Sequence, residues 1–307
     1  MSGFELRPMR PGDREGVAEL ICLSTNYWYR AHGHPLIFPG GPQTTALFFD
    51  VYHALEGSAG LVAQDQRTGF LLGSCFYHLR PTHVSLGIMN VHPNHFGRGV
   101  ARALLDPTIG LAQARAKPLR LASSALNLDS FSLYTRAGFV PRCIFQDLIL
   151  PVPADGLPHP VPPEIHPATL ADVGAMAALE LEISHIRRDS DYRHFIENPE
   201  GIWHVSVWTG PQGMLEGFLV SCGHPGSNLL GPGVARTQEQ AAGLILAELD
   251  QHRGRSPVFL VPAECADLVG RLYAWGARNC ELHFCQVRGA FSPFRGVAMP
   301  TFMPESG

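Results

Sequence analysis

The sequence predicts a mixed α/β fold in two tandem copies, each an α+β mixed, mostly antiparallel sheet flanked by helices. Three observations predict it. An apolar run, Val84 to Val91, stops at Pro93 and is followed by Gly97, Gly99 and the helix-forming Val100-Ala101-Arg102-Ala103-Leu104-Leu105. That is a buried strand passing through a glycine-rich turn into a helix. Landmarks then recur in order. Glu5-Leu6-Arg7-Pro8, then Asp13, returns as Glu164-Ile165-His166-Pro167, then Asp172. Gly97-Arg98-Gly99-Val100-Ala101-Arg102 returns as Gly231-Pro232-Gly233-Val234-Ala235-Arg236, and Leu133-Tyr134 before Gly138 returns as Leu272-Tyr273 before Gly276. Between the copies lies a proline-dense stretch without hydrophobic period. The boundaries read as a first domain over 1–150, a linker over 151–163 and a second domain over 164–307.

In the first copy, Leu6 opens a short strand. Asp13 can cap a helix over about 14–23, with Val17, Leu20 and Ile21 on one face. Asn26-Tyr27-Trp28-Tyr29-Arg30-Ala31-His32-Gly33-His34-Pro35 follows without a clean period, and a second helix covers Gln43 to Leu55. Leu61 to Gln64 and Phe70 to His78 flank a turn, Asp65-Gln66-Arg67-Thr68-Gly69, as a hairpin. The helix from Val100 to about Ala116 contains Pro107, which predicts a kink or break. Leu119 to Ser123 is a strand, Asp129 to Arg136 a helix ended by Gly138, and Ile144 to Leu150 a closing strand. The second copy reads as strands over 203–208 and 215–221, a short strand entering Gly231, a helix over 237–252, a strand over 258–261, a helix over 263–275 and a strand over 282–288.

Composition excludes several classes. The chain has 307 residues, 45% hydrophobic and 16% charged, which is globular and long enough for two domains. A net charge of −4 gives no support for nucleic acid as a partner or for attraction to an acidic membrane. No run of about twenty apolar residues suggests a span, and Met1 to Pro11 has no apolar signal core. Seven scattered cysteines read as reduced thiols of a cytoplasmic protein. No His-x-x-x-His pair or cysteine–histidine spacing suggests a metal, so none is expected.

The turn after Val91 carries the chemistry. Backbone N–H groups converge at a helix N-terminus, the helix dipole favours an anion there, and glycines let the backbone approach it. Arg98 adds a charge able to pair with phosphate. A bare strand-to-helix turn has the same local sequence.

The first copy resembles the GNAT superfamily of N-acetyltransferases, over roughly residues 4–150. Val91-His92-Pro93, Gly97-Arg98-Gly99-Val100-Ala101, and Asn127 with Leu133-Tyr134-Thr135-Arg136-Ala137-Gly138-Phe139 carry the resemblance. Phe96 departs from the basic or amide residue that opens the family signature. The resemblance implies one splayed parallel strand pair in each copy and acetyl-CoA as co-substrate. Its pantetheine would lie beside Asn90 and Val91, its pyrophosphate on Phe96, Gly97, Arg98, Gly99, Val100 and Ala101, and its arm against Asn127. It implies Tyr134 as the general acid that protonates the departing thiolate; without the family, Tyr134 reads as a core tyrosine beside Leu133 and Phe139. Asn127 and Tyr134 are two helical turns apart and can share a face. The acceptor, a small-molecule or protein amine, would meet Tyr27, Trp28, Tyr29, His32 and His34, which serve equally well as a packed helix connection. His83, His92 and the remoter Glu56 are the nearest titratable groups, and none is assigned as base.

The second copy resembles the C-terminal domain of two-domain bacterial GNAT proteins of the YitH type. It reads as degenerate, because Pro232 replaces Arg98 and Pro262 falls near the place of Asn127. The expected activity is an acyl-CoA-dependent N-acyltransferase, in a monomer with an internal pseudo-dimer or in a homodimer. A non-catalytic CoA-ligand sensor is the alternative.

Overall fold

The computed structural model describes residues 3–301; residues 302–307 of the second copy lie outside the described residues. The chain forms two compact units, Met1–Leu119 and Arg120–Gly307.

The first unit contains β1 (Phe4–Pro8), α1 (Arg14–Ala31), α2 (Pro42–Ala54), β2 (Ser58–Asp65), β3 (Leu71–Leu79), β4 (Val84–Val91) and α3 (Val100–Ala114). β1 to β4 form an antiparallel ladder, with Leu6 opposite Ala63, Val62 opposite Ser74 and Cys75 opposite Met89. Ile21, Tyr52, Val62, Phe76, Leu86 and Leu104 are buried between this sheet and the helices, and the Tyr52 ring stacks 4.4 Å from Phe76.

Two expectations are corrected here. α1 does not stop near Leu23 but runs through the aromatic stretch to Ala31. Nothing in that stretch breaks a helix before Gly33, which takes φ +82°. The rings settle at helical spacing, with Trp28 stacked on His32 at 4.1 Å. Of the kink or break expected at Pro107, the break is absent, and α3 runs through it. The proline lies on the exposed side, where water can satisfy the carbonyl it orphans.

In the second unit come β5 (Leu119–Ser124), α4 (Leu128–Arg136), β6 (Val140–Ile149), β7 (Ile165–Pro167), α5 (Val173–Ser184), α6 (Asp189–Glu197), β8 (Trp203–Thr209), β9 (Leu215–His224), β10 (Ser227–Ala235), α7 (Gln238–Asp250), β11 (Val258–Pro262), α8 (Ala266–Ala274), β12 (Arg278–Arg288) and β13 (Val297–Met299). Its strand order is β5-β12-β6-β11-β10-β9-β8-β7, with β13 on β10. β6, the closing strand of the first sequence copy, therefore lies between β11 and β12 of the second. The proline-dense 151–163 stretch is pinned to this unit. Val152 is buried, donates its N–H to Arg255 O at 2.8 Å and accepts from Gly254 N–H at 3.0 Å.

β10 and β11 are parallel only at Leu229–Val258 and Leu230–Phe259. Beyond that, β10 pairs with β13, Gly233 opposite Met299 and Ala235 opposite Val297. Val297 and Met299 are buried in the same cluster as Phe259, Val261, Leu244 and Leu272. The opening between the two parallel strands is filled by β13.

Candidate functional site

The first unit presents the strand, turn and helix that the glycines announce. Gly97 and Gly99 take φ +72° and +81°, the left-handed region that favours glycine. Gly99 is the N-cap of α3 and supplies no capping side chain, so the first-turn amides remain available to an external acceptor. A Cβ at Gly97 or Gly99 would meet nothing within 4 Å, so the backbone faces open space. Arg98 is exposed; its own N–H is directed to His95 O at 3.3 Å, leaving the side chain as its contribution. Burial holds the His95 imidazolium pKa below its ordinary value, and the neighbouring Arg98 charge adds to this.

What seats α3 is Gly73 on β3. A Cβ there would lie 2.8 Å from Leu104 Cδ1, 2.9 Å from Val100 Cγ1 and 3.0 Å from Asn90 O. The missing side chain lets the first turn of α3 settle against the end of β4, where Gly73 pairs with Val91. α1 borders the same end. Asn90 Nδ2 donates to Ser24 Oγ at 2.7 Å, and the exposed Phe96 ring meets Tyr27 edge-on at 6.2 Å. Asn90, Val91, Phe96, Gly97, Gly99, Val100 and Tyr27 thus converge. Trp28 and Tyr29 lie one step further along α1, where Trp28 packs on Tyr29 at 5.2 Å and Tyr29 on His34 at 6.0 Å.

A bulge in β4 escaped sequence reading. The ladder to β3 slips between Tyr77–Leu86 and Cys75–Met89, so Gly87 and Ile88 together oppose Phe76. A Cβ at Gly87 would lie 2.9 Å from the Tyr52 ring. A glycine inside an apolar strand run was the signal that could have located it.

Asn127 and Tyr134 belong to the second unit. Asn127 is the N-cap of α4, its Oδ1 accepting from Ser130 N–H at 3.0 Å. Tyr134 is buried on that helix, its ring 5.8 Å from Phe139. Its counterpart Tyr273 donates its hydroxyl to Gln146 on β6 at 2.7 Å. Among the titratable candidates, His83 is buried with Nδ1 3.0 Å from Thr82 Oγ1. His92 Nδ1 accepts from Asn94 N–H at 3.2 Å, and Glu56 is exposed.

The expected glycine turn of the second copy is not a turn. Gly231 to Ala235 lie inside β10, as a bulge between Leu230 and Gly233. They match Gly87-Ile88 of β4 in kind, rather than Gly97-Arg98. A Cβ at Gly231 would lie 2.6 Å from Pro300 O, and one at Gly233 2.6 Å from Phe218 O. These glycines admit neighbouring backbone. The link to α7 is only Arg236 and Thr237, and Thr237 closes the helix N-terminus with a capping box to Gln240.

The first unit thus carries a helix N-terminus laid open by two left-handed glycines, beside a bulged antiparallel strand. Residues 20–139 match the model of the acetyltransferase (GNAT) family. A Pyrococcus horikoshii protein assigned as an acetyltransferase superposes with TM-score 0.75 at 14% identity, covering 100% of this chain and 97% of that one. A GCN5-related N-acetyltransferase from Sphaerobacter thermophilus gives 0.63 at 16%, covering 96% and 98%. A tandem GNAT protein from the clavulanic acid biosynthesis pathway gives 0.62 at 20%, covering 94% and 100%. At such identities the likeness is one of fold, and the fold is that of tandem GNAT proteins. No curated protein sequence matches the chain.

Proposed function

We propose that the chain is an acyl-CoA-dependent N-acyltransferase that carries an acetyl group from acetyl-CoA to a primary amine of a small molecule or protein. The observation that supports it most is the open backbone cradle at Gly97 to Ala101 on the N-terminus of α3. There the amides and helix dipole would bind the pyrophosphate, with Arg98 as an exposed counter-charge. Pantetheine would run along Asn90 and Val91. The β4 bulge at Gly87-Ile88 would leave a backbone donor for the thioester oxygen. Direct attack by a neutral amine needs no covalent enzyme intermediate, so catalysis is chiefly the positioning of amine and thioester.

In this reading Tyr134 is the general acid that protonates the leaving thiolate. Asn127 Oδ1 is engaged in its cap, which leaves the Nδ2 group for the pantetheine arm. Tyr27, Trp28 and Tyr29 would border the acceptor. The second copy would turn over no acetyl-CoA, a reading supported by β13 in its strand opening and the capped N-terminus of α7. Phe96, where the family signature has a basic or amide residue, favours one alternative, a CoA-ligand sensor without turnover.

Thiol release from acetyl-CoA across a panel of amines tests the proposal. Amine-dependent release supports it; CoA binding without release at any pH supports the sensor. Tyr134→Phe should cut the rate by roughly 10²–10⁴-fold and leave acetyl-CoA affinity largely intact. Unchanged turnover removes Tyr134 from the acid role.

A further inference from the structure

β6 and β12 bring three metal-ligating side chains to one face of the second unit. Asp147 stands directly opposite Glu281 in the antiparallel register, and His283 follows two residues on, opposite Phe145. The period of two puts all three on the same face. One ligand atom from each lies within 4.8 Å of the others. His283 Nδ1 is 2.8 Å from Asp147 Oδ2, and His283 Nε2 is 3.9 Å from Glu281 Oε1. The Ser124 hydroxyl donates to Glu281.

This placement is unfavourable for bare side chains. Like charges directly opposite across a strand pair repel, and these two carboxylate side chains are only 4% and 10% exposed. A single imidazole between them leaves the triad with net negative charge even when protonated. Asp147 Oδ1 is buried and has no hydrogen-bond partner among the described residues, an arrangement that costs free energy unless a ligand satisfies it. Glu180, equally buried, shows the contrast: it receives the Arg188 guanidinium and the Tyr192 hydroxyl.

We propose that Asp147, Glu281 and His283 bind one divalent first-row transition cation, of which Zn²⁺ is the type. Two carboxylate oxygens and one imidazole nitrogen suit such an ion. The cation neutralises the facing carboxylates and joins the closing strand of the first sequence copy to that of the second. Its role is a clip across the strand pair, independent of acyl-CoA chemistry at α3.

The test is a calorimetric titration of the chelator-treated full chain with Zn²⁺, repeated with Co²⁺ followed by its visible spectrum. One Zn²⁺ per chain is expected. At about a hundred times Kd, Zn²⁺ should raise the midpoint of unfolding by roughly 5–10 °C. Asp147→Asn should weaken Zn²⁺ by more than the roughly 10–100-fold that loss of an outer partner costs and abolish the Co²⁺ bands. Should that variant not fold, Glu281→Gln takes its place; should neither fold, Zn²⁺ binding by the unmutated chain decides. Absence of stoichiometric Zn²⁺ binding overturns the proposal, as does undiminished binding in a folded ligand variant.

Discussion

Gly97 and Gly99 differ from Gly73 in what an added methyl group would meet. At Gly99 it would meet nothing, but the residue is held at φ +81°. An L side chain there costs about 1–2 kcal/mol. Gly99→Ala should therefore lower the unfolding free energy by about that amount and still fold. The methyl would also stand where the pyrophosphate must approach the amides, so acetyl-CoA affinity should fall in the same variant. Gly73→Ala acts by the other route. Its methyl would press on Leu104 and Val100 of α3 and on the Asn90 carbonyl, costing about 1–3 kcal/mol as overpacking and displacing the cradle. Denaturant unfolding and calorimetry on both variants check this. Gly99→Ala with unaltered acetyl-CoA affinity would remove the pyrophosphate from that turn.

At the scale of elements, legibility followed locality. β4, the turn and α3 could be read because an apolar run, a proline and two glycines are neighbours in sequence. The end of α1 was misplaced because its aromatic last turns lack an apolar period, although nothing before Gly33 stops the helix. Gly231-Pro232-Gly233 looked like a turn because that dipeptide chemistry is a local turn signal. Its cause is tertiary: β9 and the chain after β13 press on those glycines. Polar groups on β8 and β10, on α7 and just after it were equally invisible, and they set a pH dependence. His252 is buried beside Asn228, 2.8 Å from Nδ1 to Oδ1, and burial lowers its pKa from 6.5 to about 4. Between those values the unfolded chain takes up a proton that the folded chain refuses. Stability is thus full above about pH 6.5 and is lost as pH falls toward 4, by up to ~3 kcal/mol. His204 acts oppositely. Its hydrogen bond to Glu248, 3.0 Å away, raises its pKa, so its contribution is full below 6.5 and lost as pH rises through the raised value. Urea unfolding across pH 4–8 should show a maximum near 6–7. His252→Gln should flatten the acid limb, and His204→Gln the alkaline one. An acid limb unchanged in His252→Gln would refute the assignment.

At the scale of the whole chain, the sequence repeats and the compact units do not coincide. Repetition divides the chain at 151–163, whereas the second compact unit begins at Arg120. The reason is β6. Every residue of β11 pairs with it, from Val258–Ile149 to Pro262–Phe145, and β12 pairs along its other edge. Leu148, Leu150 and Val152 are buried in the main core cluster of the second unit. Each such side chain contributes about 1.5–3 kcal/mol on burial, so the three together rival the roughly 5–15 kcal/mol that holds a domain folded. Removing them would also expose two adjoining strand edges, which invites aggregation. A fragment of residues 164–307, cut where the repeat suggests, should therefore be unfolded or aggregated. A fragment of residues 120–307 keeps β6 and should unfold cooperatively. Circular dichroism during heating and size-exclusion chromatography of both fragments decide the matter. A monomeric 164–307 fragment that melts as sharply and as late as 120–307 would show that β6 is dispensable to the unit it completes.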